Sequence, residues 1–118
     1  MEFALSEEQE ILSESVRKML EDNIDVDLLR NHSKGDDGIR ANIRQLVVDM
    51  GLPGILIPEE YGGSGLGVLE AALIGEEFGR YAVPTPWIGN SVMAPTALLY
   101  EKGNSLSEKW LPLIASGE

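Results

Sequence analysis

The amino-acid sequence predicts an all-α fold, a bundle of about five main helices. Apolar residues recur at the 3.6-residue spacing of a helix in several separate segments. Helix start signals and glycine or proline breaks flank those segments. A length of 118 residues with 43% hydrophobic content suits a single core, so residues 1–118 are expected to form one domain. The expected helices lie near residues 7–23, 39–50, 68–80, 91–101 and 106–115.

The first predicted helix runs from Glu7 to about Asn23. Ser6 and Gln9 have the spacing of a capping box, in which the Ser6 hydroxyl accepts the Gln9 amide and the Gln9 side chain reaches back. The outer face of this helix is charged. The apolar face consists of Leu12, Val16, Met19 and Leu20.

Residues 24–38 have the weakest pattern. Val26, Leu28 and Leu29 indicate a short turn, and a polar loop is expected after it. His32 is the single histidine of the sequence and is interpreted as a surface residue of this loop. Metal binding or proton transfer by His32 would require partner groups nearby in a cleft.

The second predicted helix covers residues 39–50. Its apolar residues fall at i, i+4, i+7, i+8 and i+11, namely Ile39, Ile43, Leu46, Val47 and Met50. Gly51 suits the position just after a helix, where a left-handed conformation favours glycine. Leu52 can then cover the last turn.

The glycine-rich stretch, residues 51–67, separates the second and third predicted helices. Ile55, Leu56 and Ile57 form a short apolar run between two prolines, which predicts a buried extended segment. The glycines that follow permit φ > 0, and they lie at positions 62, 63, 65 and 67. The stretch is either a connection between two core helices or a loop that cradles a phosphate. The sequence lacks the Gly-Lys-Ser/Thr ending and the preceding parallel-strand pattern that are typical of a phosphate-cradling loop.

The third predicted helix, residues 68–80, is apolar on most sides and is expected to be central. Its small-residue stripe consists of Val68, Ala72, Gly75 and Gly79. A glycine in a helix interior costs about 1 kcal/mol relative to alanine. We therefore expect another backbone to pack closely against this stripe.

Prolines determine the segment after the third helix. Pro84 and Pro86 predict an extended link, because a residue before proline is biased towards extended conformations. The fourth helix is expected near residues 91–101. Pro95 lies early in it and is expected to bend it.

The fifth predicted helix lies near residues 106–115. Ser105 and Glu108 have the spacing of a second capping box at its start. Pro112 is expected to shorten or bend this helix.

Composition and charge exclude several classes of function. Nine basic and 20 acidic residues give a net charge of −11, which argues against binding to nucleic acid or to an anionic membrane surface. The absence of cysteine excludes disulfides, thiol chemistry and thiolate metal sites. No apolar run approaches the roughly 20 residues of a membrane span. Acidic residues stand where a signal peptide would be basic, so a cytoplasmic location is expected.

The residues taken alone show no recognisable active site, and no catalytic, cofactor-binding or metal-binding residue is predicted in the chain. There is no nucleophile motif, metal-ligand spacing or dinucleotide fingerprint. Acidic residues occur as sequence neighbours, but neighbouring side chains on a helix point in different directions. These pairs are Asp36-Asp37, Glu59-Glu60 and Glu76-Glu77.

Four ordered stretches give the sequence a family resemblance. The most specific one reads Ile57-Pro58-Glu59-Glu60-Tyr61-Gly62-Gly63-Ser64-Gly65-Leu66-Gly67, preceded by Met50-Gly51-Leu52. The other three are residues 3–9, 75–80 and 108–118. Together they resemble the N-terminal helical domain of the acyl-CoA dehydrogenase family over essentially the whole chain.

The resemblance implies a flavoprotein oxidoreductase of fatty-acid metabolism that dehydrogenates an acyl-CoA thioester between Cα and Cβ, with FAD as cofactor. In this family a β domain and a C-terminal helical bundle follow, and they hold the flavin and the catalytic carboxylate. The resemblance therefore implies that this chain is part of a longer enzyme, is inactive alone and does not hold FAD. It also implies an electron-transfer flavoprotein or similar acceptor as partner, and a homo- or hetero-tetramer.

The resemblance further implies that this domain walls the deep end of the acyl pocket. The corresponding residues here are Trp87, Asn90, Ser91 and Ala94. Trp87 has an alternative interpretation as an ordinary core or interface aromatic residue. Residues 84–87 depart from the straight-chain fatty acyl enzymes of the family.

Two alternative functions stand beside the dehydrogenase. The chain could be a non-catalytic helical module, or an inactive subunit of a heteromeric relative, that binds a partner through the small-residue stripe. Acyl-CoA oxidases and flavin-dependent monooxygenases share this domain and are the other alternative.

Overall fold

A computed structural model of the chain describes residues 3–101 and 103–118, and the remaining positions of the expected domain lie outside the described residues. The described part contains α-helices, short 3₁₀ turns and one π-helical turn, and no strand. The all-α prediction is therefore confirmed. The helices are α1 (Glu7–Asn23), α2 (Val26–Ser33), α3 (Asp37–Asp49), α4 (Val68–Arg80), α5 (Ala94–Tyr100) and α6 (Ser105–Ser116).

The helix α2 replaces the expected turn and the first part of the expected polar loop, of which residues 34–36 remain as a connection. Asp25 caps it, because its carboxylate accepts the Leu28 amide at 2.7 Å. Leu28 and Leu29 are half-buried and pack against the core. Asp36 then caps α3, which begins at Asp37, two residues earlier than expected. Local carboxylate caps therefore support helix where the apolar pattern is too weak to indicate it.

The core forms where α1 and α4 pack together, with α3 and the glycine-rich stretch beside them. The predicted capping box at the start of α1 is present, with the Ser6 hydroxyl accepting the Gln9 amide at 3.2 Å. The fully buried apolar side chains include Val16 and Leu20 of α1, and Ile74 of α4. The helical spacing of the sequence thus predicted the buried face of α1 correctly.

The glycine-rich stretch folds into two 3₁₀ turns, Leu52–Gly54 and Glu59–Tyr61. Ile55 and Ile57 are buried as expected, but Ile55 has φ −56° and ψ −41°. The prediction of an extended segment was therefore wrong, since the chain turns tightly here. Gly51 has φ +70°, as expected for a residue that ends a helix. A Cβ at Gly63 would overlap the carbonyl oxygens of Gly54 and Ile57.

The small-residue stripe of α4 does not pack against another backbone in the described part of the chain. Val68 is 70% exposed and Gly79 has open space beside it. Only Gly75 faces a neighbour closely, the indole of Trp87. The buried side of α4 instead consists of Ala71, Ile74, Glu77 and Phe78.

The predicted fourth helix is divided into a π-helical turn, Ile88–Met93, and α5. Pro95 occupies the first turn of α5, where its missing N–H leaves no broken bond within that helix. The predicted second capping box is wrong: Asn104 caps α6, and its side chain accepts the amides of Leu106 and Ser107, each at 2.9 Å. The Glu108 carboxylate instead accepts the Tyr61 hydroxyl at 3.2 Å.

No helix within residues 3–101 or 103–118 has the length and apolar character needed to cross a membrane.

Candidate functional site

A cleft of about 300 Å³ lies between α3, residues 84–86, the π-helical turn and the end of α6. Its volume is at the lower end of the range of small-molecule pockets. Its walls come from segments that are far apart in the sequence. The lining residues are Arg40, Ile43, Arg44, Val47, Val48, Pro53, Pro84, Thr85, Pro86, Asn90, Ser91, Ala94, Ile114, Gly117 and Glu118.

The apolar wall of the cleft comes mainly from the buried stripe of α3. Ile43 and Val47 line the cleft and are also members of the hydrophobic core, 3% and 5% exposed. Pro53 and Ile114 continue this wall from the glycine-rich stretch and from α6. Because these side chains are fixed by core packing, the apolar part of the cleft is preformed.

The polar wall carries hydrogen-bond donors. Ser91 is 5% exposed, and its hydroxyl forms no hydrogen bond with the described residues. The side chains of Thr85, Asn90 and Arg40 likewise have no hydrogen bond or ion pair with the described part of the chain. The second arginine, Arg44, donates to the Gly117 carbonyl. Four donor-bearing side chains therefore border the cleft without partners in the described fold.

The carboxylate of Glu118 is the acidic group among these lining residues, and it accepts the Ser116 hydroxyl at 3.3 Å. Gly117 ends α6 with φ +80° and donates its amide to the Ile114 carbonyl. A Cβ at Gly117 would overlap Val48, so glycine allows α6 to approach α3 closely here.

The structure brings three of the four predicted pocket-wall residues to the cleft: Asn90, Ser91 and Ala94. Trp87 is not among the lining residues and is buried in the core, 5% exposed. Its indole N–H donates to the Ala71 carbonyl at 3.2 Å, and its ring packs edge-to-face on Phe78 with centroids 5.1 Å apart. The geometry of Trp87 is thus that of the alternative interpretation, a core aromatic residue.

His32 lies on α2 rather than on a loop, and the expectation of a loop residue was wrong in this respect. It is half-buried, and its Nδ1 atom is buried without a hydrogen-bond partner in the described part of the chain. It borders a second, more open cavity together with Arg40, Val83, Pro84, Thr85 and Pro86. Within residues 3–101 and 103–118, no group of three or more His, Asp or Glu residues is placed to hold a metal ion.

The glycine-rich stretch does not offer its amides to a phosphate. Ser64 N–H donates to the Gly54 carbonyl at 3.0 Å, Gly65 N–H to the Ile57 carbonyl at 2.8 Å and Leu66 N–H to the Ile55 carbonyl at 2.9 Å. These bonds close the stretch on itself and support its interpretation as a connection between core helices. The stretch therefore does not fit the diphosphate of a flavin dinucleotide.

The acidic pair Glu76-Glu77 is split between two environments. Glu77 is 1% exposed, and its carboxylate accepts Arg17 Nη2 at 2.7 Å and Nε at 3.1 Å. The Arg17 hydrogen bonds are the main cause that lowers the pKa of Glu77. Glu76 is exposed and pairs with Arg80 at 3.3 Å. Glu77 is therefore an ionised, enclosed partner of α1 and lacks the raised pKa of a general acid.

The sequence of the chain matches the family described as "Acyl-CoA dehydrogenase, N-terminal domain" over residues 6–118. The chain belongs to the acyl-CoA dehydrogenase family. The resemblance of the sequence to this domain is therefore confirmed at the level of the family.

Curated relatives support the same assignment. Acyl-CoA dehydrogenase IpdE2 of Mycolicibacterium smegmatis is 35% identical over 80% of this chain and 30% of its own length. The mitochondrial isovaleryl-CoA dehydrogenase of Pongo abelii is 35% identical over 97% of this chain and 27% of its own. Acryloyl-CoA reductase (NADH) of Anaerotignum propionicum is 30% identical over 99% of this chain and 29% of its own.

The chain thus spans less than a third of the length of these curated relatives. No solved structure matches the chain significantly. The match concerns the helical N-terminal domain, whose cleft and core are described above.

Proposed function

We propose that the protein of which this chain is the N-terminal domain dehydrogenates an acyl-CoA thioester between Cα and Cβ, and that this domain walls the deep end of the acyl pocket. The pocket role is supported by one observation: Asn90, Ser91 and Ala94 line a single cleft beside the apolar wall of α3. A preformed apolar cavity with a few polar groups is the usual form of a small-molecule site.

FAD, the cofactor proposed for the full-length protein, would accept the β-hydride of the thioester. The residues described here supply neither a base nor a phosphate cradle for that chemistry, because Glu77 is paired and the glycine-rich stretch is closed on itself. The contribution of this chain is to bind and orient the acyl group and to exclude water from it. We therefore propose that this domain alone is inactive and that the β and C-terminal domains of the family hold FAD.

Ala94→Phe tests the pocket role. Ala94 is half-buried on the cleft, so a phenyl ring there should fill part of the cavity. We expect kcat/KM of the full-length, FAD-loaded protein for its longest accepted acyl group to fall by about tenfold, with short acyl groups less affected. Ala97→Phe on the exposed side of α5 is the matched control, and it should leave kcat/KM unchanged for long and for short acyl groups. An equal loss for short and long acyl groups would contradict the pocket role.

The alternative functions lead to different outcomes. An acyl-CoA oxidase would pass electrons to O₂, a flavin monooxygenase would insert oxygen, and an inactive subunit would leave the thioester unchanged. A dehydrogenase reduces a protein acceptor such as an electron-transfer flavoprotein without consuming O₂. A homo- or hetero-tetramer and a cytoplasmic location remain part of the proposal for the full-length protein.

A further inference from the structure

Trp87 lies at the start of the segment that forms one wall of the cleft. Its backbone is already helical, with φ −51° and ψ −55°, and the π-helical turn Ile88–Met93 follows directly. The Asn90 amide donates to the Pro86 carbonyl at 3.0 Å, so the first turn of this segment spans Trp87. Asn90 and Ser91, which line the cleft, are thus within about one helical turn of the indole. A shift of Trp87 would therefore move the backbone of both residues.

The buried side of α4 holds the indole of Trp87. The indole N–H donates to the Ala71 carbonyl at 3.2 Å inside the core. The ring meets Phe78 edge-to-face, with the centroids 5.1 Å apart and the ring planes at 79°. Gly75 faces the indole Nε1, which would lie 3.4 Å from a Cβ at that position. Three residues of one helix thus hold the ring in a single orientation.

The Trp87 indole makes the hydrogen bond that joins α4 to the π-helical turn. Within the part of the chain that the structure describes, no other hydrogen bond links residues 68–80 with residues 87–93. The helix α4 is itself joined to α1 by the ion pair of Glu77 with Arg17 at 2.7 Å. The packing of α1 and α4 is therefore transmitted to the turn through Trp87.

The backbone of the π-helical turn lacks one of its own hydrogen bonds. The Ala94 amide donates to the Gly89 carbonyl, five residues earlier. The next donor in this pattern would be residue 95, but Pro95 has no N–H, so the Asn90 carbonyl lacks its partner in the turn. The fully buried ring of Pro95 anchors the far end of the turn, and Trp87 anchors the near end. Such turns are rare and often occur at functional sites.

We infer that Trp87 is a positioning residue of the acyl pocket: it acts through the π-helical turn to hold Asn90 and Ser91 at the cleft, and it thereby limits the length of the acyl chain that the cleft admits. This inference rests on the proposed function and specifies what sets its selectivity. Trp87 is 5% exposed and does not line the cleft, so it acts without touching the acyl group. A residue that only fills the core would affect stability and leave the preference for a chain length unchanged.

The test uses S-alkyl thioethers of CoA, which lack the thioester carbonyl and therefore bind without being dehydrogenated. Titration calorimetry measures the affinities of S-butyl-, S-hexyl-, S-octyl- and S-decyl-CoA, and of CoA alone, for the full-length, FAD-loaded protein. In the wild type, the affinity should rise with alkyl length and stop rising at the length that fills the cleft.

Trp87→Phe removes the indole N–H and keeps an aromatic ring beside Phe78. It should move the limit to a longer alkyl group, because the wall that carries Asn90 and Ser91 can then yield. We expect the first alkyl group beyond the wild-type limit to bind about tenfold more tightly to this variant than to the wild type, since small changes in the space of an apolar pocket carry that much discrimination. The affinity for CoA alone should not change.

Val16→Ala is the matched control, because Val16 is fully buried on α1 and does not line the cleft. It should lower the midpoint of thermal unfolding and keep the wild-type dependence on alkyl length. Phe78→Leu keeps Trp87 and removes its edge-to-face partner. It should move the limit in the same direction as Trp87→Phe but by less, and it carries the test if Trp87→Phe does not fold.

Three results would overturn the inference. If Trp87→Phe lowers the unfolding midpoint and keeps the wild-type dependence on alkyl length, Trp87 is a core residue only, and the proposed function stands as long as Ala94→Phe weakens the binding of the long alkyl groups. If Trp87→Phe weakens all ligands and CoA alike, its effect is global and does not concern the chain end. If Ala94→Phe also leaves the long alkyl groups unaffected, the cleft is not the acyl pocket, and the proposed pocket role fails together with the inference.

Discussion

Glu77 is a charged residue enclosed between α1 and α4. Its carboxylate accepts the Arg17 guanidinium and the Ser13 hydroxyl from α1, and Arg80 approaches it at 3.4 Å from its own helix. The Arg17 hydrogen bonds lower the pKa of Glu77 most, and they outweigh burial, which acts in the opposite direction. The group therefore stays ionised in the fold and joins the two helices at the centre of the core.

Glu77→Gln should reduce the free energy of unfolding at pH 7 by about 2 kcal/mol, because the charge-assisted hydrogen bonds to Arg17 are lost. The lowered pKa means that the unfolded chain binds this proton more readily than the folded one. The contribution of Glu77 is therefore full above its ordinary pKa of 4.5 and is lost as the pH falls through the lowered pKa of the fold.

Urea unfolding of the wild type and of Glu77→Gln, at pH 7 and at successive pH values below 4.5, measures this contribution. The difference between the two proteins should shrink as the pH falls. Glu76→Gln is the matched control and should be nearly neutral, since Glu76 is exposed and its pair with Arg80 is solvated. A difference that stays constant across this range would contradict the assigned role.

At the scale of elements, caps determine where helices begin. Asp25, Asp36 and Asn104 each accept backbone amides of the first turn of α2, α3 and α6, respectively. The apolar pattern indicated neither α2 nor the cap of α6, since short helices carry few periodic positions. Ser107 also joins two elements, because its buried hydroxyl donates to the Leu98 carbonyl of α5 at 2.7 Å.

Asn104→Ala should lower the free energy of unfolding by about 1 kcal/mol, because two amides of the first turn of α6 lose their acceptor. Ser105→Ala should change it by less than about 0.5 kcal/mol, since Ser105 is exposed and lies inside the helix. Thermal unfolding followed by circular dichroism compares the two. A larger loss of stability for Ser105→Ala than for Asn104→Ala would instead support the capping box that the sequence suggested.

At the scale of the whole molecule, the two tryptophans differ in how deeply they are buried. Trp87 is 5% exposed among Ala71, Gly75 and Phe78, whereas Trp110 on α6 is 43% exposed and lies beside Lys109, with the ammonium 4.8 Å from the ring centre. Apolar residues at the start of α4, such as Val68, remain at the surface. The core is therefore centred on α1, α3, the buried side of α4 and the indole of Trp87.

Trp110→Phe should leave a blue-shifted fluorescence that acrylamide quenches weakly, because the remaining tryptophan emission then comes from Trp87 in the core. Trp87→Phe should leave a red-shifted emission that is readily quenched. Steady-state emission and Stern–Volmer quenching of the two variants test this. Equal quenching would show that the core around Trp87 is open in solution.

Much of the local structure could be predicted from the sequence. The bounds of α1, the end of α3 shortly before Gly51 and the span of α4 follow from apolar periodicity and from caps, which act within a few residues. The family resemblance also pointed to Trp87, Asn90, Ser91 and Ala94 as residues of one pocket wall, and the structure brings Asn90, Ser91 and Ala94, but not Trp87, to one cleft. Their role as a pocket wall stays a prediction.

Tertiary packing decided the remaining features, because they depend on residues that are distant in the sequence. Arg17 and Glu77 are 60 positions apart, and no local pattern could show that a carboxylate in an apolar helix would be buried with that partner. The carbonyl of Ala71 and the ring of Phe78 draw Trp87 into the core instead of the cleft. Periodicity thus determined which face of each helix is apolar. The packing of α3, the π-helical turn and α6 alone determined that their unpaired donors, Arg40, Asn90 and Ser91, border a single cleft.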